Sequence, residues 1–398
     1  MKSTFLLNIK LKYFLLFALF ILAATIFQQH FFNFFTVKML GSVVWSAPER
    51  VVGSDLILVS PYQVYDPKKR AVPKVYLINL NGKIIKEWSV NGVSSSSRLG
   101  KGGLLFTLIA TSANRKQLNN GGESDKIVAV NERNEEVFSI PLPESSHDFA
   151  FVEDGKIAAL RFERIGHDDI KKFFKSTDKE FAYSDRITVT DYKGIETWSW
   201  SLKDHIQKVK FRAANENLSF VSNANSIQYV NENPLSKKPA FLVSFRNIDL
   251  LLLIEYPSGN ILWQSPVGEL SRQHDATIAQ NNILVFDNQI RVEEPSLQIL
   301  EWDILSDKKV FHWSPTKTAA LTTTTMGGVR RLRNGSILIS ISNLGQLLEV
   351  DQNGLIKWSF LIFTQDENHS RWPLGQSFFR AEVYSPSEIK ALGFSINP

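Results

Sequence analysis

Three features of the sequence predict an all-β protein: a six-bladed β-propeller of four-stranded blades, preceded by one N-terminal transmembrane or signal-anchor helix. Helical spacing of apolar residues is scarce, and apolar residues occur instead in short runs typical of strands, such as "FLVSF", "LLLLIEY" and "SILISIS". One strand-turn-strand pattern recurs along the chain, and an apolar segment follows lysines at the N-terminus. The 398 residues, 43% of them hydrophobic, suffice for a sizeable core.

The N-terminal segment predicts insertion into a membrane. Lys2, Lys10 and Lys12 precede the apolar run "YFLLFALFILAATIF" (13–27), which continues as the Phe-rich "QQHFFNFF" (28–35). The strictly apolar run is shorter than the about 20 residues of a comfortable span, but its Phe-rich continuation suits the membrane interface. The positive flank is expected to stay in the cytoplasm while the remaining chain is exported.

A cleaved signal peptide is the alternative, since Ala23 and Ala24 are small residues near the end of the apolar run. The bulky Ile26 and Phe27 that follow make an uncleaved anchor the favoured interpretation. The propeller is then held outside the cytoplasm, on the periplasmic side if the cell is bacterial. The predicted organisation is a cytoplasmic basic flank (1–12), a transmembrane signal anchor (13–35), a linker (36–51) and the propeller (52–398).

Six segments share an ending in which an apolar strand, a turn with Gly or Asn and a second strand follow one another. "VYLINLNGKIIKEW", "ITVTDYKGIETWSW", "LLIEYPSGNILWQS" and "LLEVDQNGLIKWSF" show it clearly, and "IVAVNERNEEVFSI" and "ILEWDILSDKKVFHW" are diverged forms. A further apolar strand or hairpin precedes each, so that one repeat has the length of a propeller blade. The Trp residues are expected in the core between blades, and the C-terminal segment 371–394 is expected to pack against, or help close, the last blade. The predicted blades are 52–90, 98–142, 145–202, 224–265, 272–315 and 326–362.

Composition excludes several classes of function. The net charge is +5, but Lys and Arg are spread along the chain without a basic cluster, which argues against nucleic-acid binding. The absence of Cys excludes a disulfide, a thiolate zinc site and a cysteine nucleophile. No cofactor is predicted, and the sequence does not indicate an oligomeric state.

The later blades begin with similar segments: "SHDFAFVEDGK", "ANSIQYVNENP", "QHDATIAQNNI" and "GGVRRLRNGSI". Counting back from the turn, His147, Asn225, His274 and Gly327 occupy the same place in successive repeats. Because radial repetition places equivalent positions on one ring, we expect these residues to converge near the axis of the propeller.

Further polar groups are expected at the same place. Asn223 lies just before Asn225, and Arg246 ends the next strand of that blade in "FLVSFRN". Asp148 and Asp275 directly follow His147 and His274 and are expected to orient the two imidazoles. The sequence thus predicts a site of two His, two Asn and one Arg, flanked by two carboxylates.

The residue types at this site favour some chemistries over others. His is a common metal ligand, but the Arg and the lack of a third His or an exposed carboxylate argue against a metal centre. Serine hydrolysis is disfavoured because no G-x-S-x-G nucleophile elbow is present. A guanidinium flanked by His and Asn suits a tetrahedral oxyanion, since its fork forms paired charge-assisted hydrogen bonds.

The same segments resemble the arylsulfotransferase (ASST) family of propeller proteins. "QHDATIAQNNILVFDN" is similar to the family's His-Asp strand motif, "ANSIQYV" and "FLVSFRN" to its Asn-Ser and Ser-x-Arg motifs, and "SHDFAFVEDGKIAAL" to its upstream His-Asp motif. "GGVRRLRNGSILIS…LLEVDQNGLIKW" is similar to its last-blade pattern. The resemblance covers residues 145–360 well and the first two blades loosely.

The resemblance implies sulfuryl transfer from an aryl sulfate to a phenolic acceptor through a sulfohistidine, without the nucleotide sulfate donor PAPS. His274 would be the nucleophile, His147 would assist proton transfer, and Arg246 and Asn225 would hold the sulfuryl oxygens. Asn223 departs from the family, whose members commonly have His at that position. An Asn cannot act as a general acid, a loss worth about 10²–10⁴ in rate if that position does acid-base work.

The leading hypothesis is therefore a membrane-anchored, exported arylsulfotransferase. The alternative is a non-catalytic exported propeller that binds a protein partner or an anionic glycan. A third interpretation is a different propeller enzyme, such as a lyase or hydrolase acting on an extracellular polymer.

Overall fold

The structure, a computed structural model, describes ten stretches of the chain: 37–40, 43–46, 53–61, 73–110, 123–174, 177–212, 219–290, 296–315, 323–362 and 377–396. Almost all of their secondary structure is β, as the alternating apolar runs predict. The strands are β1 (Val37–Leu40), β2 (Val43–Ser46), β3 (Leu56–Pro61), β4 (Lys74–Asn79), β5 (Ile84–Ser89), β6 (Val93–Gly100), β7 (Leu104–Ala110), β8 (Glu123–Val130), β9 (Glu136–Val152), β10 (Lys156–Gly166), β11 (Phe181–Asp191), β12 (Glu196–Ser201), β13 (Ala224–Val230), β14 (Ala240–Phe245), β15 (Leu250–Glu255), β16 (Ile261–Gln264), β17 (His274–Ala279), β18 (Asn282–Asp287), β19 (Gln298–Asp303), β20 (Lys308–Trp313), β21 (Gly328–Arg331), β22 (Ile337–Ile341), β23 (Gln346–Val350), β24 (Ile356–Ile362) and β25 (Phe378–Tyr384).

Two short α-helices occur in the described stretches, α1 (His167–Ile170) and α2 (Pro386–Ala391). The second begins with a capping box, in which Ser385 Oγ accepts from the backbone N–H of Glu388 and the Glu388 carboxylate accepts from that of Ser385. Short 3₁₀ segments connect some strands: Glu153–Gly155, Leu202–Asp204, Ile206–Lys208, Arg246–Ile248 and Ser342–Leu344.

The strands form antiparallel sheets arranged as a β-propeller. Four units have the predicted form of a four-stranded blade, namely β25-β3-β4-β5, β13 to β16, β17 to β20 and β21 to β24, the last of these extended by β2 and β1. The strands β6 to β12 instead make one seven-stranded sheet. The 17-residue β9 joins its two halves, because β9 pairs with β8 along its first part and with β10 along its second. The predicted four-stranded blade is thus confirmed, but the structure has four such blades and not six separate ones.

The C-terminal strand closes the propeller by completing the first blade. Strand β25 pairs antiparallel with β3, with Tyr384 opposite Leu56 and Ala381 opposite Val59. The segment also packs against the last blade, as expected, because β25 contacts β21 and Ser342 Oγ donates to the Phe379 carbonyl. The pairing joins the C-terminal segment to the first blade with main-chain hydrogen bonds and gives this blade its fourth strand.

The recurrent Trp residues pack against the turn of the following blade. The Trp200 indole N–H donates to the Gly259 carbonyl at 3.0 Å, and the Trp313 indole N–H donates to that of Gly354 at 3.0 Å. A Cβ at either glycine, both at positive φ, would lie 3.1–3.2 Å from the indole. The Gly and Trp residues that recur in the sequence therefore form contacts between blades, in which the Trp of one blade packs against the turn Gly of the next.

Six strands surround the axis. Strands β6, β9, β13, β17, β21 and β25 contact one another in this cyclic order, and β25 returns to β6. The starts of these strands therefore lie close together although they are far apart in sequence, and the candidate site is found there.

The predicted flank and anchor, 1–35, lie outside the described residues. In the range predicted as a linker, β1 and β2 form a hairpin whose second strand pairs with β24. Within the stretches that the structure describes, no helix has the length and apolar character needed to cross a membrane.

Candidate active site

The site is built on irregularities at the starts of the axial strands. The strand register shifts around His147 and Asp148, at Asn225, after His274, and around Phe379 and Arg380. Such bulges re-aim side chains and are common beside active sites. Several non-glycine residues of this region also have left-handed backbones: His147, Asn223, Asp249, Arg272, Asp275 and Met326. Left-handed non-glycine backbone is uncommon and clusters at functional sites, so this region is a candidate on its backbone geometry alone.

His274 is buried at the start of β17, with both ring nitrogens in hydrogen bonds. Nδ1 lies 2.6 Å from Asn288 Oδ1, and Nε2 accepts from the backbone N–H of Met326 at 3.2 Å. The Asn288 amide nitrogen donates to the carbonyls of Thr323 and Met326, at 3.0 and 3.1 Å. The segment 323–327 therefore lies next to the imidazole, with the Met326 N–H at its Nε2.

His147 is buried nearby on β9. Its Nδ1 lies 2.5 Å from Ser146 Oγ, and its ring lies beside Phe379 and Phe162, with centroids 5.7 and 6.4 Å away. In the part of the chain that the structure describes, its Nε2 has no hydrogen-bond partner. Of the two imidazoles, His147 is thus the one whose Nε2 bonds to no described residue.

Arg246 and Asn223 are held together by the backbone. The N–H of Arg246 donates to the Asn223 carbonyl at 3.1 Å, which places the start of a 3₁₀ turn against the beginning of β13. The guanidinium donates through Nη1 to Asn247 Oδ1 at 3.0 Å and through Nη2 to the Thr324 carbonyl at 3.1 Å. Arg246 and His274 are therefore both bonded to the segment 323–327.

Asn225 presents an acceptor to the site. Its Nδ2 donates to the Gln273 carbonyl at 2.8 Å, directly before His274. Its Oδ1 is buried and has no hydrogen-bond partner among the described residues. Because a buried acceptor without a donor is costly, this atom is suited to a hydroxyl or an amine brought by a ligand.

Asp148 and Asp275 do not orient the histidines as predicted. Within the described chain neither carboxylate bonds to the imidazole before it; both accept from Arg380 Nη1, each at 2.9 Å. Asp148 Oδ2 also accepts from the backbone N–H of Ile227, and Asp275 Oδ2 accepts from that of Val329. Successive side chains of a strand point to opposite faces, so a residue next to a histidine in sequence need not face its ring.

Arg380 belongs to a closed ring of six alternating charges around the axis. The ring runs Arg98–Asp148–Arg380–Asp275–Arg330–Glu382 and back to Arg98, with N–O distances of 2.5–3.1 Å. It is neutral, with three guanidinium groups and three carboxylates, and its members come from β6, β9, β17, β21 and β25. A Cβ at Gly328 would collide with Asp275 Oδ2, so this glycine lets the ring close. We call this set the axial charge ring.

The electrostatics keep the site imidazoles neutral. Burial, with Arg380 and Arg246 adding to it, lowers the pKa of His147 to about 3. Burial and then Arg246 hold the pKa of His274 well below its usual range, and the hydrogen bond to Asn288 opposes this only in part. In the axial charge ring, burial would raise the pKa of Glu382, but Arg330 and Arg98 outweigh it and lower that pKa to about 2. The site thus combines a stable charged ring with two unprotonated histidines.

All seven residues predicted for the site lie in this one region of the structure. Sequence reasoning missed Arg380, the other members of the axial charge ring beyond Asp148 and Asp275, and the residues Asn288 and Met326. The sequence does contain a signal for Arg380, because "FFRAEVY" on β25 and "HDATIA" on β17 both place a charged residue directly before an Ala. Among the described residues no cluster of three or more His, Asp or Glu is placed to hold a metal ion.

The fold is an all-β propeller, and its axis gathers buried histidines, a guanidinium and the Asn225 Oδ1 acceptor, which has no donor among the described residues. These features define a candidate enzyme whose active site lies on the propeller axis. The family model of arylsulfotransferase (ASST) matches residues 109–363. The chain therefore belongs to the arylsulfotransferase family. Membership supports an arylsulfotransferase-type function in general, with an aryl sulfate donor and a phenolic acceptor.

Three solved structures are similar to this chain at low identity. A protein of unknown function from Bacteroides caccae is 14% identical, with a TM-score of 0.48, covering 83% of this chain and 99% of its own. AztD from Citrobacter koseri is 10% identical, with a TM-score of 0.44 and coverage of 84% and 99%, and a streptogramin B lyase is 13% identical, with a TM-score of 0.44 and coverage of 78% and 86%. No curated protein matches the chain.

Proposed function

We propose that the protein transfers a sulfuryl group from an aryl sulfate to a phenolic or other hydroxyl acceptor through a sulfohistidine at His274. The observation that carries this proposal is the gathering of two neutral, buried imidazoles and the Arg246 guanidinium at one place on the axis. A neutral imidazole is a nucleophile, and a guanidinium stabilises the oxygens of a transferring sulfuryl group much as it does those of a phosphoryl group.

The first half-reaction forms the sulfohistidine. The Nε2 lone pair of His274 forms a bond to sulfur while the bond from sulfur to the aryl oxygen breaks, and the phenolate leaves with that electron pair. The donor has to displace the Met326 N–H from Nε2, after which this N–H is close enough to donate to a sulfuryl oxygen. Arg246, bonded to the same segment, adds a second donor for the oxygens.

The second half-reaction returns the imidazole. The acceptor hydroxyl gives its proton to Nε2 of His147 as its oxygen bonds to sulfur, and the bond between sulfur and His274 breaks with its electrons returning to Nε2. His147 can accept this proton because its ring is unprotonated and its Nε2 has no partner among the described residues. Its lowered pKa of about 3 makes it a weak base, so the departing negative charge of the sulfuryl group has to assist the transfer. The rings of Phe379 and Phe162 lie beside His147 and offer an apolar surface for the aryl ring.

The test of this function is an assay with p-nitrophenyl sulfate as donor and phenol as acceptor. We expect nitrophenol release that depends on the acceptor, and a labile sulfuryl adduct in the intact mass when the acceptor is omitted. Absence of release and of an adduct across a panel of aryl sulfates would favour the non-catalytic alternative, a propeller that binds a partner or an anionic glycan.

Asn225 is assigned to the acceptor in this proposal. Its unpartnered Oδ1 cannot donate to a sulfuryl oxygen, but it can accept from the hydroxyl of the acceptor. We expect Asn225→Ala to lower kcat/KM for the acceptor by about 10–100-fold, the loss of one buried hydrogen bond, while sulfohistidine formation changes much less. Separate single-turnover measurements of the two half-reactions check this.

The matched control is Asn233→Ala, an equally buried Asn in the turn after β13, away from the axis. Its loss is expected to lower stability but to leave the acceptor kcat/KM unchanged. An Asn225→Ala enzyme that forms the adduct slowly but transfers it normally would place Asn225 on the sulfuryl oxygens instead.

We also propose that the propeller is anchored to a membrane and lies outside the cytoplasm, as the lysines and apolar run of the N-terminus indicate. The chain lacks Cys, so single introduced thiols report topology cleanly. We expect Lys193→Cys, in an exposed turn, to react with a membrane-impermeant maleimide on intact cells, and Ser3→Cys to react only after permeabilisation. The reverse labelling, or release of the protein by alkaline carbonate, would rule out this arrangement.

The six axial strands further support six radial units, with the seven-stranded sheet counted as two blades that share β9. An experimental density map viewed down the axis would check this count, and five or fewer radial units would refute it.

A further inference from the structure

We propose that Asn288 is a positioning residue that fixes the tautomer of His274 and so directs its Nε2 lone pair into the site. This inference deepens the proposed function, because it concerns the nucleophile of that reaction. Asn288 follows β18 and is buried, with a relative exposure of 1%. It was not among the residues that the sequence singled out.

The orientation of the Asn288 amide follows from its partners. One side of the amide faces two backbone carbonyls, those of Thr323 at 3.0 Å and Met326 at 3.1 Å. A carbonyl only accepts, so the group facing both must be the NH₂, which has two hydrogens to give. The other side of the amide, which faces His274 Nδ1 at 2.6 Å, is therefore the oxygen.

The protonation of the imidazole follows in turn. Because Asn288 Oδ1 only accepts, Nδ1 of His274 must carry the hydrogen, and a neutral imidazole then has its lone pair on Nε2. An independent contact agrees with this assignment, since the Met326 N–H donates to Nε2 at 3.2 Å and so requires an acceptor there. The Asn288 Oδ1 acceptor and the Met326 N–H donor thus select the same tautomer.

The same contact serves the reaction after the bond to sulfur forms. With Nδ1 protonated and Nε2 bonded to sulfur, the ring becomes an imidazolium, and its Nδ1–H becomes a stronger donor. Asn288 Oδ1 remains in place to accept from it, held there by its bonds to Thr323 and Met326. The neutral amide stabilises this cation less than a carboxylate would, which keeps the sulfohistidine transferable.

The experiment uses the full-length protein with the variants Asn288→Leu and Asn288→Asp. The ¹⁵N chemical shifts of the His274 ring identify the tautomer without any donor, and single-turnover adduct formation from p-nitrophenyl sulfate measures the chemistry. Wild type is expected to show Nδ1–H with an unprotonated Nε2. Asn288→Leu is expected to populate the Nε2–H form and to form the adduct about 10–100-fold more slowly.

Asn288→Asp keeps an oxygen opposite Nδ1 and is expected to retain the Nδ1–H tautomer. Its carboxylate should raise the pKa of His274, so the variant's rate of adduct formation should fall on the acid side of a profile that is flat in wild type. Retention of the tautomer in Asn288→Asp but not in Asn288→Leu separates positioning from packing.

The matched control is Asn343→Leu. Asn343 is also buried and also contacts the segment 323–327, through Thr325 Oγ1 at 3.3 Å, but it does not touch His274. Its substitution is expected to leave the His274 tautomer unchanged and to alter adduct formation by less than about 3-fold. Protonation of Nε2 in wild type, or an unchanged tautomer in Asn288→Leu, would overturn the inference even if the protein proves to be an active sulfotransferase. Conversely, a protein that shows the expected tautomers but forms no adduct would refute the proposed function alone.

Discussion

The variant His274→Asn is expected to form no sulfuryl adduct and to lose at least about 10⁴-fold in the rate of acceptor-dependent nitrophenol release. The proposed reaction passes through a covalent bond between sulfur and Nε2 of His274. An Asn side chain has no atom that can form an equivalent transferable bond to sulfur. The Asn amide can still donate to Asn288 Oδ1 in place of the Nδ1–H, so the fold around the site should be retained. Intact-mass analysis and the p-nitrophenyl sulfate assay measure both effects.

His312→Asn is the control for this variant. His312 is exposed on β20, an outer strand, so its substitution should leave both the adduct and the rate unchanged. An adduct of normal stoichiometry in His274→Asn would transfer the role of nucleophile to another residue, and His147, whose Nε2 has no partner among the described residues, would be the first to examine.

Arg380→Met is expected to destabilise the protein by about 3–5 kcal/mol, the largest stability effect that we expect from one substitution. Arg380 bonds simultaneously to Asp148 and Asp275, with all three side chains at least 97% buried, and its Nη2 also donates to the Asn225 carbonyl at 2.7 Å. Removing the guanidinium leaves two buried carboxylates with one positive partner fewer and leaves the axial charge ring with a net negative charge. Chemical denaturation, with the change in midpoint at constant slope, measures the loss.

The pH dependence of this loss has a definite sign. The pKa of Glu382 is lowered from its usual value to about 2 in the folded protein, so Glu382 contributes stability above its unfolded pKa, and this contribution is lost as the pH falls towards about 2. Arg380 is among the arginines that lower this pKa, and its removal brings the folded pKa closer to the unfolded one. The difference in stability between wild type and Arg380→Met should therefore be largest above about pH 4.5 and should shrink below it.

Arg133→Met is the matched control, because Arg133 pairs with Glu135 on the surface with its side chain 82% exposed. Exposed pairs contribute about 0–1 kcal/mol, so this variant should be close to wild type at every pH. A loss below about 1 kcal/mol in Arg380→Met would mean that the axial charge ring does not hold the propeller together.

Much of the fold could be predicted from the sequence because its elements are repeated and local. The strand-turn-strand endings with Gly and Trp predicted the hairpins and the buried Trp residues, and the indole bonds of Trp200 and Trp313 give this pattern its physical reason. The blade boundaries were less predictable at β9. The continuous strand β9 pairs with β8 along its first part and with β10 along its second. No local feature of its sequence indicates that the strands on its two sides belong to one sheet.

The candidate site was predictable in its residue types and not in its contacts. Repeat alignment placed His147, Asn225 and His274 on one ring, since equivalent positions of successive repeats must meet at the axis. It assigned Asp148 and Asp275 to the wrong partners, because adjacency in sequence was taken as adjacency in space. Their actual partner, Arg380, lies 232 and 105 residues away.

The sequence by itself determined which segments are strands, where the turns and inter-blade Trp residues fall, and that His147, Asn225 and His274 lie near the axis, because these depend on periodicity and on repeat position. Only the tertiary structure decided how the charges pair and which nitrogen of His274 carries its proton. The axial charge ring closes when β25, near the C-terminal end of the chain, pairs with β3, near its other end, and the tautomer is set by Asn288 and Met326, which approach His274 only in the folded propeller. Such contacts depend on the closure of the whole propeller and leave no local pattern in the chain.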